Sequence, residues 1–264
     1  MKITAILSIR NEAEYIGNCL AHLVRNGLDF IVIDNESDDR TIDIVRQDRF
    51  ARHLVDLRSH PYPGYFDWQG LMQAREKAAS ECGADWVLFV SADEIMHSRR
   101  KAETLSDAIH RIADTGAQVI DFEEFVFLPV DTDYVSDAEG WQPLRRYYFF
   151  QPAPVRLMRA RRTDLDVSHI EMGGHTLVGS PYQLADEKMV LRHYIFRSRQ
   201  HAEQKYTQRV FAESEVKRGW HGNRIGFQDS AFSFPSAERL KLLRQTDQRD
   251  LERDQPVLKH YWEW

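Results

Sequence analysis

The sequence predicts an α/β fold: a mostly parallel central sheet flanked by helices. Three observations predict it. Short apolar runs alternate with helical patterns over roughly the first hundred residues. One of these runs, Trp86 to Val90, is unbroken, as in a strand buried on both faces of a parallel sheet. Polar loops directly follow the first, second and fourth runs: Arg10-Asn11-Glu12, Asp34-Asn35 and Ser91 to Glu94. With right-handed crossovers those three strand ends open on one rim.

In chain order, residues 3–9 read as the first strand. Asn11 is expected to cap a helix in which Ile16, Cys19, Leu20, Leu23 and Val24 keep helical spacing, and Gly27 ends it. Residues 30–33 form the second strand, followed by an acidic loop, residues 34–39, and a helix over 40–47. A third strand, 53–57, leads through a loop rich in Pro and Tyr to a helix over 69–82 and then to the central strand. Beyond it the spacing predicts a helix over 102–115, a strand over 119–128, a polar loop over 131–140 and two strands over 147–150 and 155–158. The arginine cluster at 159–162 reads as a solvated turn. A helix over 199–217 sets His201, Lys205 and Arg209 at successive i+4 steps with Arg197 one step before, a basic stripe that faces solvent or meets a pyrophosphate. Residues 232–264 add a charged helical stretch and an aromatic end, His260-Tyr261-Trp262-Glu263-Trp264.

Chemistry concentrates where the central strand ends. Ser91, Asp93 and Glu94 supply acceptors at the carboxyl end of a buried strand, where open α/β sheets bind ligands. Acids there either cap a following helix or hold a hard divalent cation whose remaining positions go to water and substrate phosphates.

Composition narrows the classes. A net charge of −6 argues against a general nucleic-acid binder. The two cysteines, Cys19 and Cys82, fall on apolar helix faces and form neither a disulfide framework nor a metal knuckle, which predicts a reducing cytoplasm. No stretch approaches the ~20 apolar residues of a membrane span, which leaves peripheral contact at the inner membrane face as the only expected membrane association. The 264 residues fit one domain, and nothing fixes the oligomeric state.

The segments LSIRNEAEYIGNCL, IVIDNESDDRT and DWVLFVSADE together resemble the nucleotide-sugar-binding half of a family 2 glycosyltransferase with the GT-A fold, a Rossmann-like sheet. LRHYIFRS followed by Lys205 is similar to the distal element of some bacterial members. The resemblance implies a single GT-A-like domain over 1–264: a nucleotide-sugar half (1–100), an acceptor half (101–198) and a helical C-terminal extension (199–264). It implies that Asp34 meets the base, that Arg10, Asn11, Glu12 and Asp39 border the nucleotide, and that Arg75 and Lys205 approach the diphosphate. In the family's D-x-D signature this chain reads Ser91-Ala92-Asp93. Asp93 then stands as a metal ligand and Ser91 as a neutral hydrogen-bonding substitute toward the ribose. His193 resembles the histidine that completes the metal site, which favours Mn2+, with Mg2+ as the alternative. The implied activity is inverting transfer from a nucleotide diphosphate sugar, UDP foremost, to a glycan or lipid-linked acceptor; the alternative is a non-catalytic nucleotide-sugar binder or scaffold. For the general base Glu171 is the first choice, flanked by histidines and by Gly173-Gly174, with Asp121, Glu123 and Glu124 as rivals. Tyr62, Tyr65, Trp68 and Trp141 are candidates to stack on sugar or base.

Overall fold

Side-chain alternation builds the centre of the molecule. In the computed structural model, which describes residues 1–130, 144–152, 157–207, 209–221, 224, 233–245 and 247–264, β1 (Ile3–Ile9), β2 (Asp29–Asp34), β3 (Leu54–Ser59) and β4 (Trp86–Val90) are parallel neighbours in the order β3-β2-β1-β4. Ala5, Leu7, Phe30, Val32, Trp86 and Leu88 face one side of this sheet. Ile6, Ile31, Ile33, Val87 and Phe89 face the other. α1 (Ile16–Arg25) covers the first side with Ile16, Cys19, Leu20 and Leu23, and α3 (Trp68–Glu81) covers the second with Ala78 and Ala79. Both cysteines are buried free thiols, as their helical positions predict. α2 (Thr41–Val45) is shorter than its pattern suggested.

The chain runs β1-β2-β3 outward to one side and then returns to place β4 on the other side of β1. A crevice opens where strand order reverses in this way, outside the carboxyl ends of the two strands. The acidic loop after β4 does not start a helix. Its last residue opens a short strand, β5 (Glu94–His97), so helix capping does not account for Asp93 and Glu94.

Beyond α4 (Leu105–Ala113), capped by the Thr104 side chain, the second half is laid antiparallel onto β4. It comprises β6 (Val119–Leu128), β7 (Arg146–Phe150), β8 (Met158–Arg162), the small pair β9 (Val167–Ser168) and β10 (Val178–Gly179), and β11 (Met189–His193). β8 corrects the solvated turn expected at 159–162. It lies between β4 and β6, and Arg159 and Arg161 are buried because each meets a carboxylate, Glu94 at 2.7 Å and Glu76 at 2.5 Å. The loop expected at 131–140, Trp141, and residues 155–156 of the strand expected at 155–158 lie outside the described residues.

The helix expected over 199–217 is two helices, α5 (Arg199–Thr207) and α6 (Glu213–Lys217). The described remainder is mostly non-helical, with β12 (Lys241–Leu242) pairing β7 and Val257 bridging to Phe150. The aromatic end packs inward: His260 stacks between Phe150 at 4.0 Å and Trp262 at 4.3 Å, and its Nδ1 pairs with the Tyr148 hydroxyl at 2.9 Å. Among the described residues no helix is long and apolar enough to cross a membrane.

Candidate functional site

A cleft of about 1150 Å³ opens at the carboxyl ends of β1 and β4 and is walled by the second half and the C-terminal segment. Strand register assembles its floor. β11 runs antiparallel to β5 with His193 opposite Glu94, and parallel to β6 with Leu191 opposite Glu124. His193 is thereby brought beside Asp93, one residue before β5, and the Tyr194 amide donates to the Asp93 carbonyl at 2.8 Å.

Asp93 Oδ2 lies 3.5 Å from His193 Nε2 and 2.7 Å from Lys205 Nζ, and His193 Nδ1 lies 2.6 Å from Glu124 Oε1. Burial alone would raise the Asp93 carboxyl, but Lys205 and His193 hold it well below the usual carboxylate range. Burial opposes a charged imidazole, yet Asp93 and Glu124 on its two sides push His193 up to about 10. Lys205, also bonded to the Ile195 carbonyl at 3.3 Å, supplies the nearest fixed cation to Asp93. The basic residues of α5 and of the segments on either side of it therefore face the cleft, with Arg197, His201, Lys205 and Arg209 all in its lining.

The rim toward β2 is a web of loop contacts. Arg10 donates to the carbonyls of Asn35, at 2.7 Å, and Glu36, and its guanidinium lies 3.6 Å over the Tyr62 ring. Asn11 does not cap α1. At φ 54° its side chain donates to the Asp38 carboxylate at 2.8 Å and accepts from the Asp38 amide at 2.9 Å, which ties the loop after β1 to the loop after β2. Asp39 accepts from the amides of Ala13 and Thr41 at 3.2 and 2.8 Å. Burial pushes the Glu12 carboxyl up to about 7 against the pull of Lys205. Ser91 lines the cleft and donates its amide to Glu94 at 2.9 Å.

Of the residues singled out from sequence, Arg10, Asn11, Glu12, Asp39, Ser91, Asp93, His193 and Lys205 line one cleft, and three do not. Asp34 sits beside the rim, where it accepts from the Ser37 amide at 3.1 Å. Arg75 is buried between α3 and the sheet, donating to the carbonyls of Ile6 and Val90 at 3.4 and 3.3 Å and facing Trp68 and Phe89. It caps strand carbonyls away from the cleft, which corrects its expected approach to the diphosphate. Glu171 is exposed on a single 3₁₀ turn outside the cleft lining, which corrects its choice as general base: the adjoining Met172, Gly173 and Gly174 face the cleft instead. Among its rivals, Asp121 pairs with Lys188, Glu123 with Arg253, and Glu124 orients His193. Of the aromatic candidates Tyr62 and Trp68 line the cleft, and Tyr65 is exposed.

Sequence reading named Glu124 only as a rival base and missed its hold on His193, and it missed how residues 209–221 pack. That segment packs on the start of α3: Phe66 donates its amide to the Val210 carbonyl at 2.7 Å, and buried Glu215 accepts from the Gln69 amide at 2.6 Å and pairs with His221 at 3.0 Å. No local pattern signalled this: Glu215 and His221 are six residues apart, with His221 beyond the end of α6.

Among the described residues no group of three or more His, Cys, Asp or Glu side chains gathers to hold a metal ion. The residues nevertheless fit a divalent cation shared with substrate oxygens. Asp93 and His193 present a carboxylate and an imidazole to the same space, and the far nitrogen of that imidazole is held by Glu124, the partner that orients a metal-ligating histidine.

A family model described as Glycosyl transferase family 2 matches residues 4–163. No curated protein matches the chain. Among solved structures the chain is similar to S. aureus TarS 1-349, at 19% identity and TM-score 0.46, covering 74% of this chain and 60% of that one. It is also similar to the mannosyltransferase PcManGT from Pyrobaculum calidifontis in complex with GDP-Man and Mn2+, at 18% identity and TM-score 0.44, covering 78% and 63%. A third, glucosyl-3-phosphoglycerate synthase from Mycobacterium tuberculosis with Mn2+ and UDP, matches at 17% identity and TM-score 0.31 over 47% and 44%. The chain thus spans about 60% of TarS 1-349.

Proposed function

The chain belongs to glycosyl transferase family 2, and from that premise we propose that it moves a sugar from a nucleotide diphosphate donor, UDP foremost, to a glycan or lipid-linked hydroxyl, with inversion. The two buried free thiols support a cytoplasmic setting for that reaction, with contact at the inner membrane face as part of the same proposal. The observation that carries this reading is the chain Glu124–His193–Asp93 with Lys205, aimed into the cleft at the strand-order reversal.

In this reading Asp93 and His193 would hold a divalent cation, Mn2+ or Mg2+, which when bound would supply Lewis-acid charge to the departing diphosphate. Glu124 keeps the His193 ring in the orientation that presents Nε2. Lys205, on the same carboxylate, turns its ammonium to a phosphate oxygen. Arg10 and Tyr62 provide a stacked face for the base at the rim, and Ser91 and Glu12 accept or donate to donor hydroxyls.

The test is turnover and binding with a panel of nucleotide sugars and Mn2+, for wild type and Asp93→Ala. Wild type is expected to bind one donor and release its nucleoside diphosphate, and the variant to lose more than about 100-fold of that rate while staying folded. A folded wild type that binds no nucleotide sugar would overturn the reading.

A further inference from the structure

The cations that line the cleft differ in what neutralises them. Lys205 sits on Asp93, His193 lies between Asp93 and Glu124, Arg159 pairs with Glu94 and Arg197 with Glu14. Arg209 and Arg224 are half-buried in the same lining, yet among the described residues neither guanidinium takes part in a hydrogen bond or an ion pair. The Nε of Arg224 is out of reach of solvent and without a partner. Both are held by rings instead: Arg209 lies 4.8 Å over Phe66 and Arg224 5.5 Å over Tyr206.

Packing against a ring fixes the plane of a guanidinium and leaves its N–H fork facing outward, the geometry that grips a planar or tetrahedral oxyanion. The two also converge. Phe66, under Arg209, meets the His221 ring edge-on at 5.6 Å, and both guanidiniums, after burial itself, hold that imidazole down at about 4. Two like charges kept near one another repel, and a carboxylate that Arg209 acts on, buried Glu12, is pushed up to about 7, so a bound anion relieves that cost. The donor end has its own cation, Lys205 on Asp93, whereas this pair follows α5 and stands against the wall made by Phe66 and His221.

We propose that Arg209 and Arg224 form an anion subsite for the acceptor, so that the substrate receiving the sugar carries a phosphate group near its reacting hydroxyl. This rests on the reading of the chain as a nucleotide-sugar transferase. The phosphate belongs either to a soluble phosphoester or to a lipid headgroup.

The experiment measures two affinities by calorimetry on the full chain: UDP with Mn2+ to the free protein, and glycerol phosphate to the UDP-Mn2+ complex. Wild type, Arg209→Gln and Arg224→Gln are compared, with circular dichroism confirming the fold and Arg→Lys variants at each position as the conservative check. A parallel arm pellets each protein with phosphatidylcholine vesicles with and without phosphatidic acid. The expected result is that wild type takes up glycerol phosphate or the phosphatidic acid vesicles. Either Gln variant should weaken that uptake by roughly 10-fold or more, as for loss of a charged hydrogen-bonding partner, with UDP affinity within about 3-fold and partial recovery in the Lys variants. Uptake of the soluble ester supports a soluble acceptor, and uptake of the vesicles alone supports a lipid one. The proposal is overturned if wild type binds UDP but neither phosphate probe, or if the Gln variants lose UDP affinity as much as probe affinity, which would assign the pair to the donor diphosphate. Failure of wild type to bind UDP at all would instead remove the transferase reading beneath it.

Discussion

At the residue scale the site turns on how His193 is held. Its Nδ1 contact with Glu124, at 2.6 Å, fixes the ring on the side away from Asp93. Glu124→Gln keeps the size of the side chain and removes its charge, so it is expected to weaken Mn2+ binding about 10- to 100-fold, read by metal titration, with little change in melting temperature. Glu171→Ala, on the exposed turn, is expected to leave turnover within about 2-fold; a large loss there would return the general-base role to that residue. Histidines kept neutral by burial set the acid response. Burial holds His22 down at about 4, His201 at about 3 and His221 at about 4. Because an unfolded imidazole takes up its proton near 6.5, stability from these groups is complete above that value and is lost as pH falls toward 4. Melting temperature is expected to decline over that window, and less steeply in His22→Gln, which can still donate to the Met96 carbonyl now 2.6 Å from the ring.

At the element scale, residues 209–221 are held on the start of α3, and Glu215 is the buried charge in that contact. It is buried where α3 begins, and removing it leaves the Gln69 amide and the His221 ring without their acceptor. Glu215→Ala is expected to cost about 1–3 kcal/mol of stability. Proteolysis should then cut first between residues 209 and 221, and UDP-dependent protection of that segment should be lost with it. Uniform destabilisation without local cleavage would show that the segment is held some other way. The split of the helix expected over 199–217 matters here too. One continuous helix would have carried Arg209 on along the α5 stripe, whereas the break after Thr207 sets it beside Phe66.

At the scale of the whole molecule the C-terminal residues are part of the cleft wall, with Leu258, Lys259, His260 and Glu263 in its lining. Tyr261, buried against Phe196 and Trp262, anchors them. Tyr261→Ala is expected to cost about 3 kcal/mol in chemical unfolding and to weaken nucleotide binding by opening that wall.

The first four strands, α1, α3 and the rim formed by three polar loops were legible in the sequence, because a buried strand or an amphipathic helix writes its environment into consecutive residues. The same locality made Asp93, Ser91, Glu12 and Arg10 readable as a site, since each follows a buried strand directly. What the sequence did not contain was which distant residues would be neighbours. His193 meets Asp93 through the β11–β5 register, Glu124 reaches the same ring through β11–β6, and Arg75 and Glu171 fall away from the cleft, none of it fixed by neighbours in sequence. Arg159 and Arg161 look like surface charges in sequence and lie buried because their carboxylate partners come from other elements. Local pattern therefore determined the α/β framework and the polar ends of its strands. Only the tertiary structure decided which charges meet, because strand register and ion pairing are settled by packing across the chain and not along it.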